Sequence, residues 1–360
     1  MRFFGFIVFL FFAVHSHAQS YRGLSVVNAN TAWISGSKGM VLRTVNGAKS
    51  WDTLNPKGYA GKDFRDIHAF NKNKAIAMSS GDSGVVIITR DGGISWKEIY
   101  HDHRPGSFLD AMDVSNGKLI LVGDGILQQK MYQIRSDNVL NNDSLQAFTI
   151  FAKDRESYYK QGFEPDSTSS YFAASGSNVQ WIGTNVFCAI PIVDEQSIFM
   201  HVSDNFIRFR SRLPFKQQKA GGAYGFYLHR NKTGVAVGGS FYKPNENDSV
   251  ACYTRDGGRT WSPCQTMPSG YRSGVCAHKK GKIWICTGPN GTDYSIDAGK
   301  NWKPLFSAEG FNVCAIHGGY LWLAGKASAG MQRHPLKKLI KKQQDAEIIR
   351  TSPRGIPPRY

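Results

Sequence analysis

Short apolar runs recur along the chain, separated by glycine and small polar residues. Thr31-Ala32-Trp33-Ile34, Ala75-Ile76-Ala77-Met78, Val85-Val86-Ile87-Ile88 and Lys118-Leu119-Ile120-Leu121-Val122 are examples. Runs this short, bounded by turn residues and rich in β-branched and aromatic side chains, predict strands. One turn between such strands repeats. Thr254-Arg255-Asp256-Gly257-Gly258-Arg259-Thr260-Trp261 has close copies at Thr89–Trp96 and Ser295–Trp302, and a worn copy at Thr44–Trp51. In each, an Asp or Asn can bond to backbone N–H groups, a small residue takes a left-handed conformation, and an indole opens the next strand.

The copies begin at 44, 89, 254 and 295. The outer gaps are 45 and 41 residues, and the middle gap of 165 is close to four such units. A period of roughly 40–45 residues with four short strands per unit is the mark of a β-propeller. The expected fold is all-β: a seven-bladed β-propeller of four-stranded antiparallel blades joined by Asp-box turns. Residues 19–335 form the propeller. Asp91, Trp96, Asp256, Trp261, Asp297 and Trp302 are assigned structural roles in these turns. The seventh unit shows three strands, so a short N-terminal strand or the tail is expected to complete it. Residues 336–360, with Lys337-Lys338, Lys341-Lys342, Pro353, Pro357 and Pro358, read as a short basic helix and a partly disordered end. Two stretches exceed the blade plan, Ile150 to Ser170 and Phe241 to Ser249; long insertions on a rigid scaffold are where recognition tends to sit.

Charge and the first residues change the picture. The formal net charge is +17, which favours anionic partners. Met1-Arg2, the apolar run Phe3 to Val14 and the small residues of Ser16-His17-Ala18 read as a signal peptide over residues 1–18. The mature protein is expected to be secreted or periplasmic, with no lipid-anchor Cys. Export permits disulfides. Cys252 and Cys264, and Cys276 and Cys286, flank predicted hairpins and are the candidate pairs. No Cys-x-x-Cys exists, so the spacing does not suit zinc.

Motifs for catalysis are weak. Gly81-Asp82-Ser83-Gly84 copies a protease nucleophile turn, but Gly36-Ser37-Lys38-Gly39 and Gly288-Pro289-Asn290-Gly291 occupy the same repeat slot, so a hairpin turn explains all three. His101-Asp102-His103 names no third metal ligand. No Gly-x-Gly-x-x-Gly fingerprint appears. Sialidases are propellers with such turns, whose chemistry needs three arginines, a Tyr–Glu pair and an acid Asp; their usual Phe-Arg-Ile-Pro signature is absent, and Arg210-Ser211-Arg212-Leu213-Pro214 is no match in place or pattern. One constellation does follow from the repeat. Inner strands begin with an aromatic and a variable residue: Tyr21-Arg22, Phe64-Arg65, Phe108-Leu109, Tyr271-Arg272 and Phe311-Asn312, with Tyr224 in unit five. Their starts converge at one mouth of the central channel. Arg22, Arg65 and Arg272 are expected to meet there as an anion-binding ring, with Tyr21, Phe64, Tyr271 and Tyr224 for stacking.

Val41-Leu42-Arg43-Thr44, Phe172-Ala173-Ala174-Ser175-Gly176, Gly234-Val235-Ala236-Val237-Gly238-Gly239, Gly270-Tyr271-Arg272-Ser273-Gly274 and Gly288-Pro289-Asn290-Gly291-Thr292-Asp293 carry a further signal. Together, from about residue 21 to 334, the chain resembles the photosystem II stability/assembly factor-like family of BNR/Asp-box propellers. The resemblance implies a non-catalytic chaperone-like propeller that holds a protein segment with arginines; similar bacterial proteins are often labelled oxidoreductases. The expectation is an exported, monomeric, non-enzymatic binding propeller. It needs no cofactor or metal, and takes a protein or peptide partner that is acidic or membrane-associated, with no nucleic acid. The alternative is a glycan-active hydrolase of sialidase-like type.

Overall fold

The computed structural model describes residues 20–351, apart from 82, 104–107, 125–131, 137, 140, 142–144, 150–174, 192–195, 204–205, 219, 231, 308–309 and 327–329. The expected signal segment, the first insertion and the degenerate turn positions Asp137, Asp204 and Asn205 lie outside the described residues. The strands form seven antiparallel sheets in chain order, each strand paired with the next. The blades span 21–53, 63–101, 108–149, 179–212, 223–263, 274–307 and 311–335. Six have four strands and the seventh has three among the described residues. This is a seven-bladed β-propeller.

Period-two alternation sends successive side chains to opposite faces of a blade. In blade two, Ile76, Met78, Val86 and Ile88 pack against blade three, while Ala75, Ala77, Val85 and Ile87 pack against blade one. Each of the seven blade–blade interfaces holds one such cluster. That is why the strands read as continuous apolar runs: both faces are buried. Large side chains on one side meet small ones on the other, as Trp33 of blade one meets Ala75 and Ala77.

The recurring turns fasten the outer hairpins. Thr254 Oγ1 donates to Asp256 Oδ1 at 2.8 Å and accepts the Gly258 N–H at 3.0 Å. Asp256 Oδ1 accepts the Thr260 N–H at 3.0 Å, and Trp261 Nε1 donates to the Gly258 carbonyl. The same hydroxyl and Asp or Asn bonds appear around Asp91 and Asp297, and around Asn46 in the worn copy, and the indole bond recurs at Trp302. Each Asp or Asn thus holds the N–H four residues on, and the leading hydroxyl holds the tip. A second set of bonds links blade to blade. Arg43 Nη1 donates to the Gly92 carbonyl in the turn of blade two, and Arg255 Nη1 to the Ala298 carbonyl in that of blade six. Arg333 of blade seven reaches back to Gly47 of blade one.

Inner strands are hooked in series around the axis. Ser25 Oγ accepts the Ala69 N–H, Asp66 Oδ2 that of Met112, Asp113 Oδ2 that of Trp181, and Gln180 Oε1 that of Leu228. Residues 175–177 close the bore between its two ends. The Gly176 backbone lies against the Asp66 carboxylate of blade two, and Ser175 Oγ donates to the Ser273 carbonyl of blade six.

Among the described residues, the ring closes without a shared four-stranded blade. An isolated bridge joins Ser20 to Lys326, Asn312 Nδ2 donates to Ser20 Oγ and the Tyr21 carbonyl, and a small cluster of Ile34, Met40, Leu42, Val313 and Ala324 fills the seam. Beyond the last strand, the helix Leu336–Thr351 packs on the propeller. Leu336 and Ile340 enter the cluster between blades six and seven, and Lys303 pairs with Glu347. No helix among the described residues is long and apolar enough to cross a membrane.

All six cysteines are free thiols. This corrects both candidate disulfides. Cys252 lies opposite Pro263 and Cys276 opposite Ile285, so each expected partner is one residue further along. One residue is one change of face. Cys252 packs toward blade four and Cys264 toward blade six; Cys276 packs toward blade seven and Cys286 toward blade five.

Candidate functional site at the channel mouth

Five inner strands carry a β-bulge at the same place. The register skips one residue between Tyr21 and Gly23, Phe64 and Asp66, Leu109 and Ala111, Ala223 and Gly225, and Phe311 and Val313. The extra residues are Arg22, Arg65, Asp110, Tyr224 and Asn312. A bulge leaves its extra residue outside the ladder and re-aims the side chain. Here it brings Arg22 and Arg65 close together at the channel mouth, while Asn312 turns to the seam, its Nδ2 donating to Ser20 and Tyr21. In four of the blades, Gly36, Gly123, Gly238 and Gly325 end the second strand opposite the bulge. A Cβ there would fall within 2.4 Å of a backbone carbonyl.

The same criterion re-registers blade six. Gly288 stands against the Tyr271 carbonyl as Gly36 stands against that of Ser20. Arg272 is therefore the counterpart of Tyr21, not of Arg22, and it turns into the blade. It is fully buried and ion-paired with Asp293, and it donates to Asn290 Oδ1 at 2.6 Å. The three-arginine ring is thus corrected to two arginines. Blade three is also shifted by one, with Asp110 rather than Leu109 at the bulge. Of the expected stacking residues, Phe64 is fully buried between blades one and two, and Tyr21 packs at the seam. Tyr271 and Tyr224 remain beside the mouth, ring to ring at 4.7 Å in an edge-on arrangement.

Arg65 is held by Asp63, Nε to Oδ2 at 2.8 Å, and lies over the Phe108 ring. Arg22 is different. It makes no hydrogen bond or ion pair among the described residues, and its Nε is buried without a partner. Burial lowers its pKa, the neighbouring Arg65 lowers it further, and Asp63 and Tyr271 pull the other way. Tyr271 is pushed up by burial, although Arg22 and Arg65 oppose this. Two guanidiniums therefore sit close together with one of them unneutralised. Such a place attracts a carboxylate or phosphate, which Arg binds through paired N–H donors.

The other end of the axis holds a cavity of about 410 Å³ lined by Asp66, His68, Asp113, Trp181 and Tyr227 among others, with Ser175–Ser177 as its floor. Its two buried carboxylates have backbone N–H partners.

His101 and His103 stack at 4.0 Å, and His101 pairs with Glu98. Among the described residues, no group of three or more His, Cys, Asp or Glu is placed to hold a metal ion. The bulge itself is not legible as a motif. In four of the five bulged strands its signal is the glycine opposite, Gly36, Gly123, Gly238 or Gly325.

No family model matches the chain, and no curated protein matches it. Solved structures do. YCF48 bound to a D1 peptide superposes with a TM-score of 0.57 at 11% identity, covering 88% of this chain and 93% of that one. YCF48 from Cyanidioschyzon merolae gives 0.57 at 14%, covering 89% and 96%. A chain of the mitotic checkpoint complex gives 0.58 at 9%, covering 87% and 86%. At these identities the likeness is one of fold: the chain shares the seven-bladed propeller of YCF48, a photosystem II assembly factor, over nearly its whole described length.

Proposed function

We propose that this protein is a non-enzymatic docking propeller, and that the Arg22–Arg65 mouth holds an acidic segment of a protein partner. The observation that carries the reading is Arg22: a largely buried guanidinium, aimed by a bulge, with no anion of its own. The fold neighbours include a propeller bound to a peptide and one from a multiprotein assembly, which supports a protein partner. The reading includes the export expected from the N-terminal sequence, which would give the protein a partner in the envelope or outside the cell.

The glycan-hydrolase alternative finds less support. Its nucleophile is a tyrosine activated by a glutamate, and a Tyr–Glu hydrogen bond among the described residues joins Tyr59 and Glu98 on the rim of blades one and two. Burial and Glu98 push that phenol up to about 12, away from the anion a nucleophile needs.

The test is fluorescence anisotropy with a labelled hexaglutamate peptide at low salt. Wild type should bind, and binding should weaken with added salt. Arg22→Gln with Arg65→Gln should weaken it at least tenfold with an unchanged melting temperature. Arg272→Met should behave oppositely. It leaves Asp293 buried and unpaired, costing about 3–5 kcal/mol of stability. Equal binding by the mouth double variant and wild type would remove the reading.

A further inference from the structure

The mouth is flanked by an aromatic shelf. Among the described residues, five large hydrophobic side chains are exposed: Val45, Ile94, Phe241, Tyr242 and Ile296. Val45, Ile94 and Ile296 sit singly in the recurring turns, far from the mouth. Phe241 and Tyr242 are adjacent, 47% and 62% exposed, with ring centroids 4.1 Å apart. They open the long loop of blade five between its second and third strands, on the same end of the ring as the bulges. Tyr242 lies near enough to Tyr224 to raise its pKa, Tyr224 packs edge-on to Tyr271, and Tyr271 lies beside Arg22 and Arg65. Tyr271 thus joins the two: its ring packs on Tyr224 near the cations, and its N–H donates to the Pro244 carbonyl of the shelf loop.

The shelf is pinned. Asn290 Nδ2 donates to the Pro244 carbonyl at 2.5 Å and to Asn245 Oδ1 at 2.9 Å, and the Tyr271 N–H also donates to Pro244. Within the loop, the Glu246 N–H donates to the Lys243 carbonyl and Lys243 pairs with Glu246. Asn290 is itself oriented by Arg272, which the Asp293 carboxylate fixes. The arginine that is absent from the mouth is therefore a positioning residue. It sets the distance between the shelf and Arg22.

We propose that the Arg22–Arg65 mouth and the Phe241–Tyr242 shelf are two ends of one peptide-binding groove, taking a protein segment that carries an acidic residue and, a few residues away, an aromatic or large aliphatic one. The proposal rests on the acidic-segment reading of the mouth. It adds what else the segment must carry. Charge complementarity fixes one end, and a planar exposed ring pair fixes the other. Aromatic side chains stack on such surfaces and gain more than the area they bury. The ring pairs at the two ends are 4.1 Å and 4.7 Å across, and an extended chain, rising about 3.3 Å per residue, can bridge from one to the other within a few residues.

Two labelled peptides test this. Each has a central pair of glutamates, with a phenylalanine four residues to either side in one and serine there in the other, so that chain direction does not matter. Wild type should bind the phenylalanine peptide at least fivefold more tightly than the serine peptide. Phe241→Ser with Tyr242→Ser should abolish that ratio while leaving affinity for the serine peptide unchanged. Arg22→Gln should weaken both peptides. Arginine-dependent binding that ignores the phenylalanines overturns the groove and leaves the mouth reading standing. Binding of neither peptide by wild type overturns both. A shelf variant that loses both peptides equally also overturns the groove, because the loop then serves only to shape the mouth.

Discussion

At the scale of single residues, two carboxylates show how placement sets the sign of a pH effect. Asp66 is buried beside the axis, and burial pushes its carboxyl up to about 8 against the N–H groups of Met112 and Ile67. An unfolded carboxyl titrates near about 3.9. The folded chain therefore keeps this proton in a window where the unfolded chain has lost it. The contribution of Asp66 to stability is full below about pH 4, declines as pH rises, and is gone above about 8. Asp91 runs the other way. The Ser95 hydroxyl and N–H hold it down at about 2, so its contribution is present above about pH 4 and fades as pH falls through 2. Asp66→Asn should lose stability less than wild type between pH 5 and 8, read from urea midpoints at each pH. Parallel pH profiles for the two proteins would show that Asp66 ionises normally. Neither sign is legible in the sequence, where Asp66 follows Arg65 and reads as its surface partner. The bond that decides the matter joins positions 66 and 112, in different blades.

At the scale of the element, the turns and strands were largely written in the chain, and the register was not. Seven blades, the turn positions and the convergence of inner strands all follow from a repeat. The slip at Arg272 and both misplaced disulfides come from one cause: a single inserted or shifted residue exchanges the faces of a strand. Aromatic-plus-one spacing aligns Tyr271-Arg272 with Tyr21-Arg22. The glycine opposite, Gly288 with Gly36, aligns Arg272 with Tyr21 instead. The turn also gives a forecast. Gly93, Gly258 and Gly299 take positive φ, and a Cβ on Gly258 would fall 2.1 Å from Phe199. Ala48 occupies the corresponding place in the worn copy at φ 67°. A left-handed alanine costs about 1–2 kcal/mol, partly offset by the extra chain entropy a glycine loses. Ala48→Gly should therefore stabilise by about 0.5–1 kcal/mol, measured by urea denaturation. A loss of stability would mean that the Ala48 methyl group packs usefully.

At the scale of the whole molecule, the ring is a series of similar joints with one exception. Six interfaces lie between blades that follow each other in the chain. The seventh joins Asn312 to Ser20, 292 positions apart, and its buried cluster of five residues is the smallest. Hydrogen exchange should find the amides of the seam cluster, those of Ile34, Leu42, Val313 and Ala324, opening before those between blades two and three. Equal protection at both places would show that the joints are equivalent. The seam also sets the order of assembly. Blades form from local hairpins, whereas the seam must close a loop of nearly the full chain. For an unstructured chain of that length, closure costs about 5 kcal/mol beyond a constant. Arg22 sits at this joint, next to the bridge that closes it, and Arg65 on the next blade round. Until the last blade meets the first, the two guanidiniums have no finished mouth in which to stand. If the mouth takes an anion as proposed, a nascent or partly unzipped chain is blind to it, and the bound anion acts as a latch on the ring: it slows unfolding without having to hasten folding.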